Sequence, residues 1–238
     1  MRFFYKQFLK TVVVLLSVLF LVSEILEFDQ MVAEYSRALF FPAVFLFYIV
    51  KKQRMSLFFG AFLFFYALAE TTYFYENLTT SAYYIGVISY IISYSSLFVF
   101  IVSKMKIRIV LERFKFHLLV LFFFSVYLIV TLDGMLKFDY SDMLLIDYLL
   151  ESTYNALVVL VLVASFLNYL YHDTKKALIL FIACVFIVFS ELVQLAYYFI
   201  AKQYELNIIY SALLMIGFAF IFLFMNYNDK THSITKEL

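Results

Sequence analysis

The sequence predicts an all-α membrane protein of eight transmembrane helices, with both termini cytoplasmic. Three observations lead there. Of 238 residues, 66% are hydrophobic and 22% aromatic, against an apolar share of about 45–50% in soluble domains. The apolar residues fall in continuous runs of about 20, enough to cross a hydrocarbon core of ~30 Å as helix. The cations also alternate in number from one connection to the next, as cytoplasmic loops rich in Lys and Arg require.

The spans expected are 8–27, 32–50, 55–75, 82–103, 114–132, 148–171, 177–200 and 206–227. Arg2, Lys6 and Lys10 precede the first, whose apolar run ends in Glu24, Glu27 and Asp29. With no small-x-small cleavage site, it reads as a retained helix rather than a signal peptide. Lys51, Lys52 and Arg54 close the second. The third opens with fourteen uncharged residues, Ser56 to Ala69. The fourth runs into the basic stretch Lys104 to Lys115, from which the fifth departs. Asp139, Asp142 and Asp147 precede the sixth, Lys175 and Lys176 the seventh, and Lys202 and Glu205 the eighth. Continuous rather than alternating apolarity argues for helices over a barrel. Four Gly and one Pro leave no linker, so residues 1–238 read as one domain. Cys184, alone in mid-span, has no intramolecular disulfide partner.

With the N-terminus inside, 15 of the 18 Lys and Arg lie in inner segments, and most outer loops collect acids and tyrosines. This orientation supplies depth. Glu24 lies 14 residues beyond Lys10, Glu70 16 beyond Arg54 and Glu191 15 beyond Lys176, while Arg37 precedes Lys51 by 14. At 1.5 Å per residue all four sit roughly 21–24 Å above the basic belt. Asp133, Glu151 and Asn155 join within about a turn. A carboxylate at such a depth costs energy and is by default a functional-site hypothesis. Leu68-Ala69-Glu70-Thr71 and Phe189-Ser190-Glu191-Leu192 repeat one theme at one depth on parallel spans. A parallel four-plus-four repeat and an unduplicated run of eight account for this equally well.

The polar residues form stripes. Glu191, Gln194 and Tyr198 share one helical face; so do Tyr66, Glu70 and Tyr73; and Tyr83, Tyr90 and Tyr94 share another, with Ser93 and Ser96 nearby. Turned inward, they line a cavity with carboxylates, phenols and one guanidinium. Turned inward and fully paired, they make an inert core instead. His117, His172 and His232 lack metal-ligand spacing, so neither a metal nor another cofactor is expected. No phosphate loop or nucleophile elbow occurs, and lipid, not nucleic acid, explains the basic loop. Asn77-Leu78-Thr79 fits a glycosylation acceptor, which reads more simply as a short outer loop.

These marks resemble the YhhN family of lysoplasmalogenase-like, eight-helix membrane proteins over nearly the whole chain. The family's Gly-Asp pair in its third helix looks like Ala69-Glu70, and its Ser-Asp pair in the seventh like Ser190-Glu191. Its Lys-Pro-Leu looks like Arg37-Ala38-Leu39 with Pro42 beyond. Its fourth-helix Gly, Ser-Phe and His look like Gly86, Ser89-Tyr90 and Tyr94. Each polar mark differs in identity: Asp becomes Glu twice, Lys becomes Arg, and His becomes Tyr. The resemblance implies hydrolysis of the vinyl ether of a lysoplasmalogen, giving an aldehyde and a glycerophospho-alcohol. Glu70 and Glu191 would be catalytic. Arg37, Glu24, Tyr66, Tyr90, Tyr94, Asn155 and Gln194 would bind the lysophospholipid or other single-chain lipid. The expected location is the cell's inner (cytoplasmic) membrane as a multi-pass protein of open oligomeric state. A non-catalytic lipid-binding or structural protein of the same fold, and a small proton-coupled transporter, are the alternatives.

Overall fold

The computed structural model describes residues 2–26, 30–51, 56–73, 80–139, 145–199 and 203–227, the side chains of 2–4, 30, 73, 135–139 and 198–199 excepted. The described residues form nine helices and no strand: α1 (Arg2–Leu26), α2 (Gln30–Lys51), α3 (Leu57–Tyr73), α4 (Thr80–Val102), α5 (Ile107–Arg113), α6 (Lys115–Asp139), α7 (Leu145–His172), α8 (Lys175–Phe199) and α9 (Tyr204–Asn226). Seven of these, α1, α2, α4 and α6 to α9, are long and apolar enough to cross a membrane, whereas α3 is a shorter apolar helix. The protein is thus all-helical with multi-span membrane character. Glu27, Asp29, Lys52, Arg54, Tyr75, Glu76, the Asn77-Leu78-Thr79 sequon, Asp142, Lys202, Lys230 and Lys236 lie outside the described residues.

Within the basic stretch read as a loop, Ile107–Arg113 forms the two-turn helix α5. Val110 buries its side chain, and Arg108 reaches Glu112 at 3.2 Å one turn on, a spacing that favours helix. Phe114, at φ −114° and ψ 30°, breaks the run before α6.

Seven helices close a ring in which α1 packs on α2, α2 on α3, α3 on α4, α4 on α7, α7 on α8, α8 on α9 and α9 back on α1. The seams α4–α7 and α9–α1 join helices distant in sequence. Helix α6 stands outside, chiefly against α7, and exposes Phe116, Phe122, Phe123, Tyr127 and Val130. Exposed rings on a spanning helix face hydrocarbon, which is as apolar as they are.

Aromatic rings fill the interior. Phe218 of α9 meets Phe41 of α2 at 4.8 Å, Tyr66 of α3 at 4.8 Å and Phe62 at 6.3 Å between centroids. Nearer the basic ends, Phe59 meets Phe100 at 4.9 Å and Phe224 at 5.6 Å. Such pairs contribute about 0.5–1.5 kcal/mol each beyond burial. The α8–α9 pair approaches most tightly at Gly217, where a Cβ would lie 2.7 Å from Ile187 Cγ1 and 3.1 Å from its backbone nitrogen. Only glycine lets the backbones come so near.

Candidate functional site

Helix periodicity turns Arg37, Glu70 and Glu191 inward, where they are 7%, 3% and 7% exposed. Arg37 of α2 donates through Nε to Glu70 Oε2 at 2.7 Å and through Nη2 to Oε1 at 3.3 Å. This fork uses both carboxylate oxygens, the geometry that makes Arg–carboxylate pairs strong. Tyr90 of α4 donates to Glu70 Oε1 at 3.0 Å. On its other side Arg37 Nη1 donates to the Tyr210 hydroxyl at 3.3 Å, and the guanidinium carbon lies 5.6 Å from the Tyr210 ring centroid.

Glu191 of α8 is held differently. No cation lies within 4 Å of it among the described residues. Tyr94 donates to Oε1 at 2.6 Å, Tyr66 to the same oxygen at 3.5 Å, and Tyr154 of α7 to Oε2. The two carboxylate stations are joined by rings. Tyr66 lies 5.4 Å from Tyr90 and 6.1 Å from Tyr94, and Tyr154 lies 5.7 Å from each of the last two. Four contacting phenols therefore link the surroundings of Glu70 to those of Glu191.

Helix α4 organises this layer through one face. Its Tyr83, Tyr90 and Tyr94 donate in turn to Glu151 of α7 at 2.8 Å, Glu70 of α3 and Glu191 of α8. Ser93 anchors the same helix to α3 by donating to the Phe62 carbonyl at 2.9 Å. At the α8–α9 contact Ser190 Oγ donates to the Tyr210 carbonyl at 2.7 Å, which fixes the residue before Glu191 and the tyrosine facing Arg37.

The remaining residues singled out in the sequence are placed around this layer. Asn155, 1% exposed, follows Tyr154 in α7, and its Nδ2 has no hydrogen-bond partner among the described residues. Gln194 is half-buried one turn beyond Glu191. Glu24 lies at the α1–α9 seam, where Asn207 Nδ2 donates to Oε2 at 2.8 Å and the Tyr204 hydroxyl to the backbone carbonyl. Asp133 stands at the α6–α7 contact, accepting from Ser152 at 3.2 Å and Tyr148 at 3.5 Å. Arg37, Glu70, Glu191, Tyr66, Tyr90 and Tyr94 are thus brought together; Glu24 and Asp133 take their hydrogen bonds at the α1–α9 and α6–α7 contacts, Glu24 within electrostatic reach of Arg37.

Two members of the layer were missed in the sequence. Tyr154 and Tyr210 carry no mark among 21 tyrosines. The signal available for Tyr154 was its place one turn beyond Glu151 and next to Asn155. For Tyr210 nothing local distinguishes it, because its role comes from α9 crossing near α2.

No described group of three or more His, Cys, Asp or Glu residues is placed to hold a metal ion. Compared with known proteins, the chain matches no family model, no curated protein and no solved structure.

Proposed function

We propose that the chain is a lipid ether hydrolase embedded in the cytoplasmic membrane, related to the YhhN family, with eight spans and both termini cytoplasmic. In this reading α3 is the eighth span and the Lys-rich ends of the helices face the cytoplasm. The observation that supports it best is the pair of buried glutamates with unequal partners, Glu70 in a fork with Arg37 and Glu191 among three phenols. Hydrolysis of a vinyl ether divides labour in that way. A carboxylic acid gives its proton to the β-carbon of the vinyl group, leaving an oxocarbenium ion. A carboxylate takes a proton from the water that attacks this ion. The hemiacetal then breaks its bond to the glycerol oxygen, which takes up a proton, and leaves as aldehyde and glycerophospho-alcohol. Glu191 is assigned the first role and Glu70, oriented by Arg37, the second. Asn155, with a free Nδ2 beside Tyr154, is assigned to the ether oxygen.

One observation favours a second reading, a non-catalytic core of the same fold. Both oxygens of both glutamates already accept from protein donors. Aldehyde release from a lysoplasmalogen by the purified protein, beside a saturated lysophospholipid, decides between them. The hydrolase reading expects Glu70→Gln and Glu191→Gln each to remain folded and lose turnover by ~100-fold or more. Wild-type protein that releases no aldehyde and binds both lipids alike would establish the non-catalytic core.

A further inference from the structure

At the end of the bundle opposite the outer acids, cations from three helices gather on the last turn of α9. Lys51 at the end of α2 donates to the Met225 carbonyl and, at 3.0 Å, to Asn226 Oδ1. Lys104, just beyond α4, places its ammonium 4.0 Å from the Phe100 ring centroid and 5.6 Å from that of Phe224. Lys176, in the first turn of α8, places its own 5.6 Å from the same Phe224 ring. His172, ending α7, lies against this point with Nε2 3.1 Å from the Lys104 carbonyl.

The C-terminal carbonyls of α9 account for one of these cations, because a helix end attracts positive charge worth about 0.3–1 kcal/mol. Lys51 takes that role through its hydrogen bond. Lys104 and Lys176 are left flanking one aromatic ring. Among the described residues no carboxylate lies within 4 Å of Lys51, Lys104 or Lys176. Partial burial, and then the like charge of Lys176, hold the Lys104 ammonium below the ordinary lysine pKa. Two neighbouring cations that repel each other, with no carboxylate beside them among the described residues, gain from an anion set between them. Phe100 and Phe224 are themselves buried, so the rings fix the two ammoniums in place from beneath and leave their outer sides to an anion.

We propose that Lys104 and Lys176, backed by Phe100 and Phe224, form a binding site for the phosphate of an anionic phospholipid headgroup at the basic end of the bundle. The occupant is a lipid because the two cations sit where long apolar helices end, the level at which phospholipid headgroups present their phosphates. The site is separate from the Glu70–Glu191 layer and does not depend on the activity proposed for it.

The full chain is reconstituted in phosphatidylcholine nanodiscs with and without a minor fraction of phosphatidylglycerol, and bound lipid is counted by native mass spectrometry after release. Wild type is expected to retain phosphatidylglycerol over phosphatidylcholine. Lys104→Gln with Lys176→Gln should weaken that retention by about tenfold or more, since each of the two lysines that face the bound phosphate contributes about 1 kcal/mol. Lys104→Arg with Lys176→Arg should restore it, which shows that the loss is of charge and not of fold. Lys106→Gln, an exposed neighbour in the same loop, should retain lipid as wild type does. Equal losses in Lys106→Gln and the double Gln variant would overturn the proposal in favour of diffuse surface charge. Inorganic phosphate that displaces the retained lipid at comparable concentration would overturn the assignment to a lipid.

Discussion

Glu70 on α3 and Glu191 on α8 are both buried, yet their surroundings solve the problem of a buried carboxyl group in opposite ways. Each glutamate is met from the preceding helix, by Arg37 of α2 or Tyr154 of α7, and each is met again from α4, by Tyr90 or Tyr94. The α3 site uses charge neutralisation and the α8 site uses hydrogen bonds alone. A guanidinium cancels the charge in one fork but, once desolvated, depends wholly on its partner. Three phenols spread the same task over three side chains, so no one of them is indispensable. Two glutamates read as equivalents from their sequence neighbourhoods are therefore unlike in what their removal would cost.

That difference is most easily broken at Arg37. Arg37→Met leaves Glu70 buried without its cation, and the loss expected is about 3–5 kcal/mol. Arg37→Met with Glu70→Met should recover most of it, because isosteric apolar pairs often replace buried ion pairs at little cost. Cys184, the chain's single cysteine and 1% exposed, supplies the measurement, since thiol labelling during thermal unfolding in detergent reports when the core opens. A single variant as stable as wild type would mean that water or another cation reaches Glu70.

At the α8 site, Tyr154→Phe removes the donor to Glu191 Oε2 and should cost about 1–3 kcal/mol, the usual cost of leaving a buried acceptor without its donor. Tyr94→Phe should cost a similar or smaller amount, because Tyr66 also donates to the same oxygen. The same labelling assay tests both. A loss for either one that matches Arg37→Met would erase the contrast between a concentrated and a distributed solution.

The smallest effect sharpens the comparison at the helix pairs that carry the glutamates. In α8–α9 a methyl group at Gly217 meets Ile187 side chain and backbone. In α3–α4 one at Gly86 meets the Thr72 hydroxyl at 3.1 Å, a side chain that can move. Overpacking typically costs about 1–3 kcal/mol, and Ala gains back about 1 kcal/mol over Gly within a helix. Gly217→Ala is thus expected to lose roughly 0–2 kcal/mol, and Gly86→Ala to be neutral or slightly stabilising. Unfolding midpoints that reverse this order would show α8 and α9 to be the more compliant pair.

What the sequence determined by itself is the class of fold and the residues that must be paired. Apolar runs of spanning length force helices, because backbone groups in hydrocarbon have no other partners. Charges inside such runs are so costly that Arg37, Glu70 and Glu191 stand out on that ground alone. Counting residues at a fixed helical rise also leads the sequence to expect them at one depth. Which charge meets which is a matter of the packing order of the helices, and no periodicity records it. Arg37 pairs with Glu70 because α2 packs on α3, and Glu191 falls among tyrosines because α4 and α7 close the ring beside α8. Glu24, at the right depth, is bound instead to Asn207 across the α1–α9 seam. Depth is a property of one helix, whereas azimuth and neighbours belong to the bundle. Tyr210 became legible only when the tertiary structure placed α9 near α2 and so set its hydroxyl against Arg37.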